Sequence, residues 1–240
     1  MEIKKIGKAE KFAAIKSMAV DDIELEKINK YTISPLTADE VFAFKVVAGD
    51  NGDDDRNFEP FTAAALKDLA ELYPGKPVVK DHSHRDIDAV VARVYDAEVL
   101  TDSTKEAGDG EPFTQLILKA YTVRTVENAA LIAEIKAGIK KEVSTSASVS
   151  SLICSICGQD QVEKWCEHYG GAKYAKDGVE ETCLMRIGGC KEAYELSLVS
   201  IPAQPRAGVI KAAKEETEPE EKAPTEEIDK LKIELELLDL

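Results

Sequence analysis

The segment Glu195-Leu196-Ser197-Leu198-Val199-Ser200-Ile201 alternates polar and apolar side chains, then meets Pro202-Ala203-Gln204-Pro205. Alternation with period two is the pattern of a strand buried on one face. Proline has no backbone N–H to give a ladder and fixes its own φ, so the strand must stop there. A chain that ends its main body on such a strand is committed to a sheet, and the residues upstream have to supply its neighbours.

They do so in short, well-punctuated pieces. Val41 to Val47, Pro77 to Lys80, Ala89 to Leu100, Phe113 to Val123 and Glu142 to Ile153 are rich in β-branched and aromatic residues and are expected to be strands. The polar stretch Thr101 to Gly110 joins two of them as a loose hairpin. Ala65, Leu66, Leu69 and Leu72 fall at helical spacing, with Thr62 as N-cap and Pro74-Gly75 as the stop. A second helix, roughly Val126 to Ala137, ends on Gly138. Asp50-Asn51-Gly52-Asp53-Asp54-Asp55 is expected to be a solvated acidic turn, since an EF-hand's paired helix and closing Glu are missing. Strands and helices in this mixture define an α+β chain.

With 240 residues, 44% of them hydrophobic, the chain suits one principal domain with a core of its own and a tail. Residues 1–30 are charged and weakly patterned, an N-terminal arm or short helix, and residues 31–212 form the body. Residues 213–240 join an acidic linker (Glu215-Glu216-Thr217-Glu218-Pro219-Glu220-Glu221) to an amphipathic helix with Ile228, Leu231, Leu235 and Leu238 on one face, a partner surface. The net charge of −15 argues against a nucleic-acid partner, because phosphate contacts need a basic face. No apolar run is long enough for a bilayer, and Met1-Glu2-Ile3-Lys4-Lys5 lacks a signal core, so an intracellular location without membrane contact is expected.

Five cysteines in such a chain are thiols or metal ligands before they are disulfides. Cys154-x-x-Cys157 and Cys166-x-His168 lie in one Gly-rich, polar insert, residues 152–190. Two close pairs of soft donors can close a tetrahedron around Zn²⁺, with Cys183 or Cys190 as alternatives to His168. Four protein ligands leave no open position, which favours a structural zinc knuckle bracing the excursion before the Glu195 strand.

Asp55-Arg56-Asn57-Phe58-Glu59-Pro60-Phe61-Thr62 before a helix, Pro77-Val78-Val79-Lys80-Asp81-His82-Ser83 before the strand Val90-Val91-Ala92-Arg93-Val94, and Gly138-Ile139-Lys140-Lys141-Glu142-Val143-Ser144 together resemble the tailed-phage prohead (capsid maturation) proteases, relatives of the herpesvirus assemblins. The Pro-x-x-Pro ending resembles a signature of the same family. The resemblance spans roughly residues 40 to 212, apart from the insert. It implies a mainly antiparallel β-barrel wrapped by helices and a serine endopeptidase with Ser144 as nucleophile, His82 as base and Glu195 as the residue that orients the imidazole. It also implies cleavage of the major capsid protein, a scaffold protein and the protease itself inside the immature capsid, in the host cytoplasm, and a homodimer by analogy with the assemblins. The linker after Lys211 would be a self-cleavage region.

The serine segment departs from the family pattern. Ser144-Thr145-Ser146-Ala147-Ser148 replaces an apolar residue and glycine after the nucleophile, so Ser146 and Ser148 stand as rivals on the same strand face. His84 is the rival of His82. His82-Ser83-His84-Arg85-Asp86 also matches the His-x-His-x-Asp spelling of metallo-β-lactamase-type hydrolases, which would use His82, His84 and Asp86 to hold a metal. Ile87 stands where those enzymes have a histidine, and the remaining histidine, His168, sits among the cysteines. A non-enzymatic capsid scaffold is the reading from another class, carried by the acidic linker and the leucine helix.

Overall fold

The computed structural model describes residues 20–176 and 178–210. Most of the N-terminal arm, the acidic linker and the C-terminal helix expected at Ile228 to Leu240 lie outside the described residues. The chain is α+β, with a curled seven-stranded mixed sheet and a separate two-stranded hairpin.

Helix α1 (Asp22–Asn29) starts on Asp21, whose carboxylate accepts from the Glu24 N–H at 2.8 Å. It is followed by β1 (Val41–Asp50), α2 (Ala63–Leu72), β2 (Pro77–Lys80), β3 (Val90–Glu106), β4 (Pro112–Val123), α3 (Ala129–Lys136) and β5 (Val143–Cys154). Beyond these lie the hairpin β6 (Lys173–Lys176) and β7 (Val179–Thr182), then β8 (Met185–Leu198) and β9 (Gly208–Val209). In the large sheet the strands run β5-β8-β2-β3-β4-β1-β9; β2 and β8 are parallel and the other pairs antiparallel. The curl brings the two edges together at a single bridge, Glu142 to Gly208, so the expected barrel is a half-barrel stitched at one corner.

Both faces of the sheet are covered, as alternation along β1 requires. Phe42, Phe44, Val46 and Ala48 point into the main core with Leu66, Leu69 and Tyr73 of the α2 segment and Leu131, Ile132 and Ile135 of α3. Val41 and Ala43 point the other way, to Ile28 of α1, Tyr95 and Tyr121. Thr62 caps α2 as its sequence predicts, its hydroxyl accepting from the Ala65 N–H at 3.2 Å.

Two boundaries and one loop differ from expectation. Strand β3 continues to Glu106, so the predicted loose hairpin shrinks to a turn around Ala107 to Glu111. Strand β8 begins at Met185, ten residues before the alternating segment at Glu195, and runs through Gly188-Gly189, a pair that reads as loop. A Cβ at Gly188 would meet Ser151 Oγ at 2.6 Å and one at Gly189 would meet Ser150 Oγ at 2.5 Å, so close approach of β5 requires glycine there. The acidic turn is also more than solvated loop: Asp50 and Asp55 are buried, and Arg206 grips Asp50 through Nε at 2.7 Å and Nη2 at 2.6 Å. Gln204 completes the clamp, accepting from the Asp50 N–H at 2.7 Å and donating to its carbonyl at 2.9 Å. The Pro-x-x-Pro segment thus crosses back to fix the loop after β1.

Candidate active site and metal centre

Strand β8 lies between β5 and β2 and brings the three sequence-selected segments together. Across the antiparallel pair, Ser144 stands opposite Ser197 and Ser146 opposite Glu195. Across the parallel pair, Val79 stands level with Ser197. Directly paired residues share a face, so Ser144, Ser146, Glu195 and Ser197 all point away from the core that receives Val143, Leu196 and Leu198.

His82 reaches this face through a turn rather than by extending β2. Asp81 and His82 both have left-handed backbones, φ 49° and 53°. Each such residue costs about 1–2 kcal/mol, although Asp and His are among the types that tolerate it best. The turn is pinned by Asp81 N–H to the Leu198 carbonyl at 2.9 Å and by His82 N–H to Ser197 Oγ at 2.7 Å. It lays the imidazole over Glu195, with Nδ1 and Oε1 2.8 Å apart. A carboxylate can only accept, so the shared proton belongs to Nδ1, and in the neutral ring the lone pair is then on Nε2.

Glu195 is 1% exposed, whereas the His82 side chain is 41% exposed. The carboxylate is therefore fixed and dry beneath a ring that solvent can reach. Tyr73 anchors the strand from the other side, its hydroxyl donating to the Glu195 carbonyl at 2.9 Å. Burial and the nearby Glu195 charge push the Tyr73 phenol well above its usual range, so it remains a donor.

His82, Ser144 and Ser146 line one cavity of about 210 Å³, with Asp55, Phe61 and Gln204 among its walls. Among the described residues no hydrogen bond yet joins a serine hydroxyl to the imidazole; such contacts often tighten only with substrate present. Ser148 keeps to the same strand face but stands opposite exposed Glu192 and is not among the cavity residues. The rivalry therefore narrows to Ser144 and Ser146. His84 points its Nε2 at the same Glu195 Oε1 from 3.8 Å. Asp86, the third ligand of the metallo-hydrolase reading, instead caps a short 3₁₀ turn by accepting from the Asp88 N–H at 3.0 Å.

Sequence reasoning passed over Ser197 and Tyr73. Ser197 had a signal, since it sits two residues from Glu195 on an alternating strand. Tyr73, at the end of a helix, had none.

In the excursion between β5 and β8, Cys154, Cys157, Cys166 and His168 offer donor atoms all within 4.8 Å of one another, a group that could hold a metal ion. His168 Nδ1 is buried without a hydrogen-bond partner. Buried polar atoms are rarely left so, and a cation among the thiols would satisfy it. Burial opposes the Cys166 thiolate, but hydrogen bonds from the His168 backbone and ring, and from Cys157 and Cys154, outweigh it and bring the thiol down to about 7. Cys183 lies just outside the group, its sulfur 3.8 Å from that of Cys154. Cys190 is remote, its N–H bonded to Asp68 and its side chain packed on the main core.

No protein-family model, curated protein or solved structure matches the chain. Among the described residues no helix is long and apolar enough to cross a membrane.

Proposed function

We propose that this chain is a serine endopeptidase of the prohead-protease type, with an assemblin-like half-barrel, acting on capsid or scaffold protein and on its own tail during capsid maturation. The observation that carries the reading is the buried Glu195 carboxylate 2.8 Å from Nδ1 of His82, a ring that lines one cavity with Ser144. In the reaction, Ser144 Oγ attacks the scissile carbonyl while His82 Nε2 takes its proton. Glu195 holds the ring in the right tautomer and stabilises the imidazolium that forms. His82 then gives the proton to the leaving amine, and water repeats the cycle to release the acyl group.

Zn²⁺ is the metal we assign to Cys154, Cys157, Cys166 and His168. Three thiols and an imidazole suit zinc, and four protein donors make the site structural. Its place between β5 and β8 means that it braces both strands that carry the site.

Co-expression of the chain with its cognate major capsid protein, wild type against Ser144→Ala, tests the proposal by intact mass. Cleavage lost in the variant supports it. Association with uncut capsid protein by both forms would replace it with the scaffold reading. Cleavage that persists in Ser144→Ala moves the nucleophile to Ser146 or to a metal-bound water, which a chelator separates.

A further inference from the structure

We propose that His82, His84 and Glu195 form a second transition-metal site, separate from the cysteine cluster, whose occupancy shuts off the serine mechanism; the regulatory half rests on the function proposed above. Three donor atoms, one from each residue, lie within 4.8 Å of one another. Two ring nitrogens converge on one carboxylate oxygen: His82 Nδ1 at 2.8 Å and His84 Nε2 at 3.8 Å from Glu195 Oε1. Ligands about 2.0–2.1 Å from a tetrahedral zinc are separated by about 3.3 Å, which lies between those two distances. The hydrogen bond from His84 N–H to the His82 carbonyl, at 3.0 Å, holds the two imidazoles on the same turn.

A second observation is independent of this convergence. Glu195 Oε2 is buried without any hydrogen-bond partner, in a residue only 1% exposed. A buried carboxylate left half satisfied is costly unless charge or a donor completes it. The imidazole bound to Oε1 completes only one oxygen. A divalent cation at the mouth of the carboxylate compensates the whole group, and the exposure of both imidazoles (41% and 51%) leaves the approach open to solvent.

Two imidazoles and one carboxylate favour zinc, nickel or copper over magnesium or calcium, which prefer oxygen donors. The ligand set differs from His82, His84 and Asp86, because Asp86 is occupied as a cap. The remaining coordination positions face solvent and are filled by water. On binding, the ring changes tautomer: the His82 Nδ1–H bond breaks and its proton goes to solvent, Nε2 takes a proton from solvent, and the freed Nδ1 lone pair forms the nitrogen–metal bond. A ring bound to a cation through Nδ1 carries its proton on Nε2 and has no lone pair left there to take the serine proton. Metal and catalysis thus compete for one ring, which cannot hold the cation through Nδ1 and accept a proton at Nε2 together.

The test uses the full chain with its cysteine cluster already filled by one equivalent of Zn²⁺. Further Zn²⁺ is titrated calorimetrically into wild type and His84→Ala, and labelling by a fluorophosphonate is followed with and without it. The proposal expects a further equivalent in wild type, weakened at least about tenfold in His84→Ala, and labelling that falls with added Zn²⁺ in wild type only. No further equivalent, or equal binding by the variant, overturns the site. Labelling or cleavage that rises with Zn²⁺ overturns the competition and makes the metal the catalyst. If the further equivalent binds but the metal-free chain never labels, the site stands and the serine protease reading falls. A matching circular dichroism spectrum for His84→Ala shows that any loss is local.

Discussion

His82 Nδ1 and Glu195 Oε1 are 2.8 Å apart, one on an exposed ring and the other on a carboxylate that is almost fully buried. They come from segments 113 residues apart, and it is the parallel pairing of β2 with β8 that makes them neighbours. A buried charge held only to brace a strand would more simply be apolar. Its orientation toward the His82 ring, which lines a cavity with Ser144, is what the proposed mechanism requires. Glu195→Gln keeps the shape but can bind the wrong tautomer, so turnover is expected to fall by up to about 10⁴-fold with little change in substrate affinity. Separate kcat and KM values from a peptide substrate check this.

In the proposed mechanism Ser197 is a positioning residue. Its hydroxyl accepts from the His82 N–H inside the left-handed turn. Ser197→Ala leaves that N–H without its partner at a cost of about 1–3 kcal/mol, and the turn loosens. Cleavage is expected to drop while Ser197→Thr restores much of it. Thermal melts alongside kinetics separate the two effects, since a purely structural role would lower Tm without changing kcat at a temperature where the protein is folded.

The cysteine cluster predicts an order of thiol reactivity in metal-free protein. Cys166 is brought down to about 7, whereas burial and the neighbouring Asp68 push Cys190 up to about 11. Only the thiolate reacts. At neutral pH iodoacetamide should modify Cys166 well before Cys190, and a filled metal site should protect Cys166 while leaving Cys190 unchanged. Peptide mapping over a time course reads both. Equal rates at the two positions would contradict the assignment.

Helix α1 is held to the sheet by charge. Lys27 and Lys119 approach Asp96 at 2.7 and 3.0 Å, and Lys119 also reaches Glu24 at 2.9 Å. Burial works against the Asp96 carboxylate, but hydrogen bonds from Lys27 and Lys119 outweigh it and hold its pKa below the usual value. A group depressed on folding stabilises above its unfolded pKa, about 3.9, and loses that contribution as pH falls through the folded value. Amide exchange of α1 should therefore rise below about pH 4, well before the core strands open, and Asp96→Asn should show raised exchange at neutral pH.

Much of this architecture was legible in the residues. Thr62 as cap, the apolar spacing of α2 and the strands β1, β2, β4 and β5 follow from periodicity and turn chemistry, which are local. His82, Ser144 and Glu195 were selected by resemblance, and the folded chain gathers them on one face. What stayed hidden depends on long-range contact. Gly188 and Gly189 read as loop because nothing local reveals that β5 lies too close for a side chain. Asp50 reads as solvent-facing because Arg206 and Gln204, more than 150 positions away, supply the clamp. The tie between Tyr73 and the Glu195 carbonyl is likewise visible only once α2 lies across β8.

The most direct measurement is fluorophosphonate labelling of the purified chain in a chelating buffer, with the adduct mapped by mass spectrometry. The account predicts one adduct on Ser144, abolished in Ser144→Ala and strongly slowed in His82→Ala and Glu195→Gln. An adduct on Ser146, or no adduct on a chain that still cleaves capsid protein, would contradict Ser144 as the nucleophile.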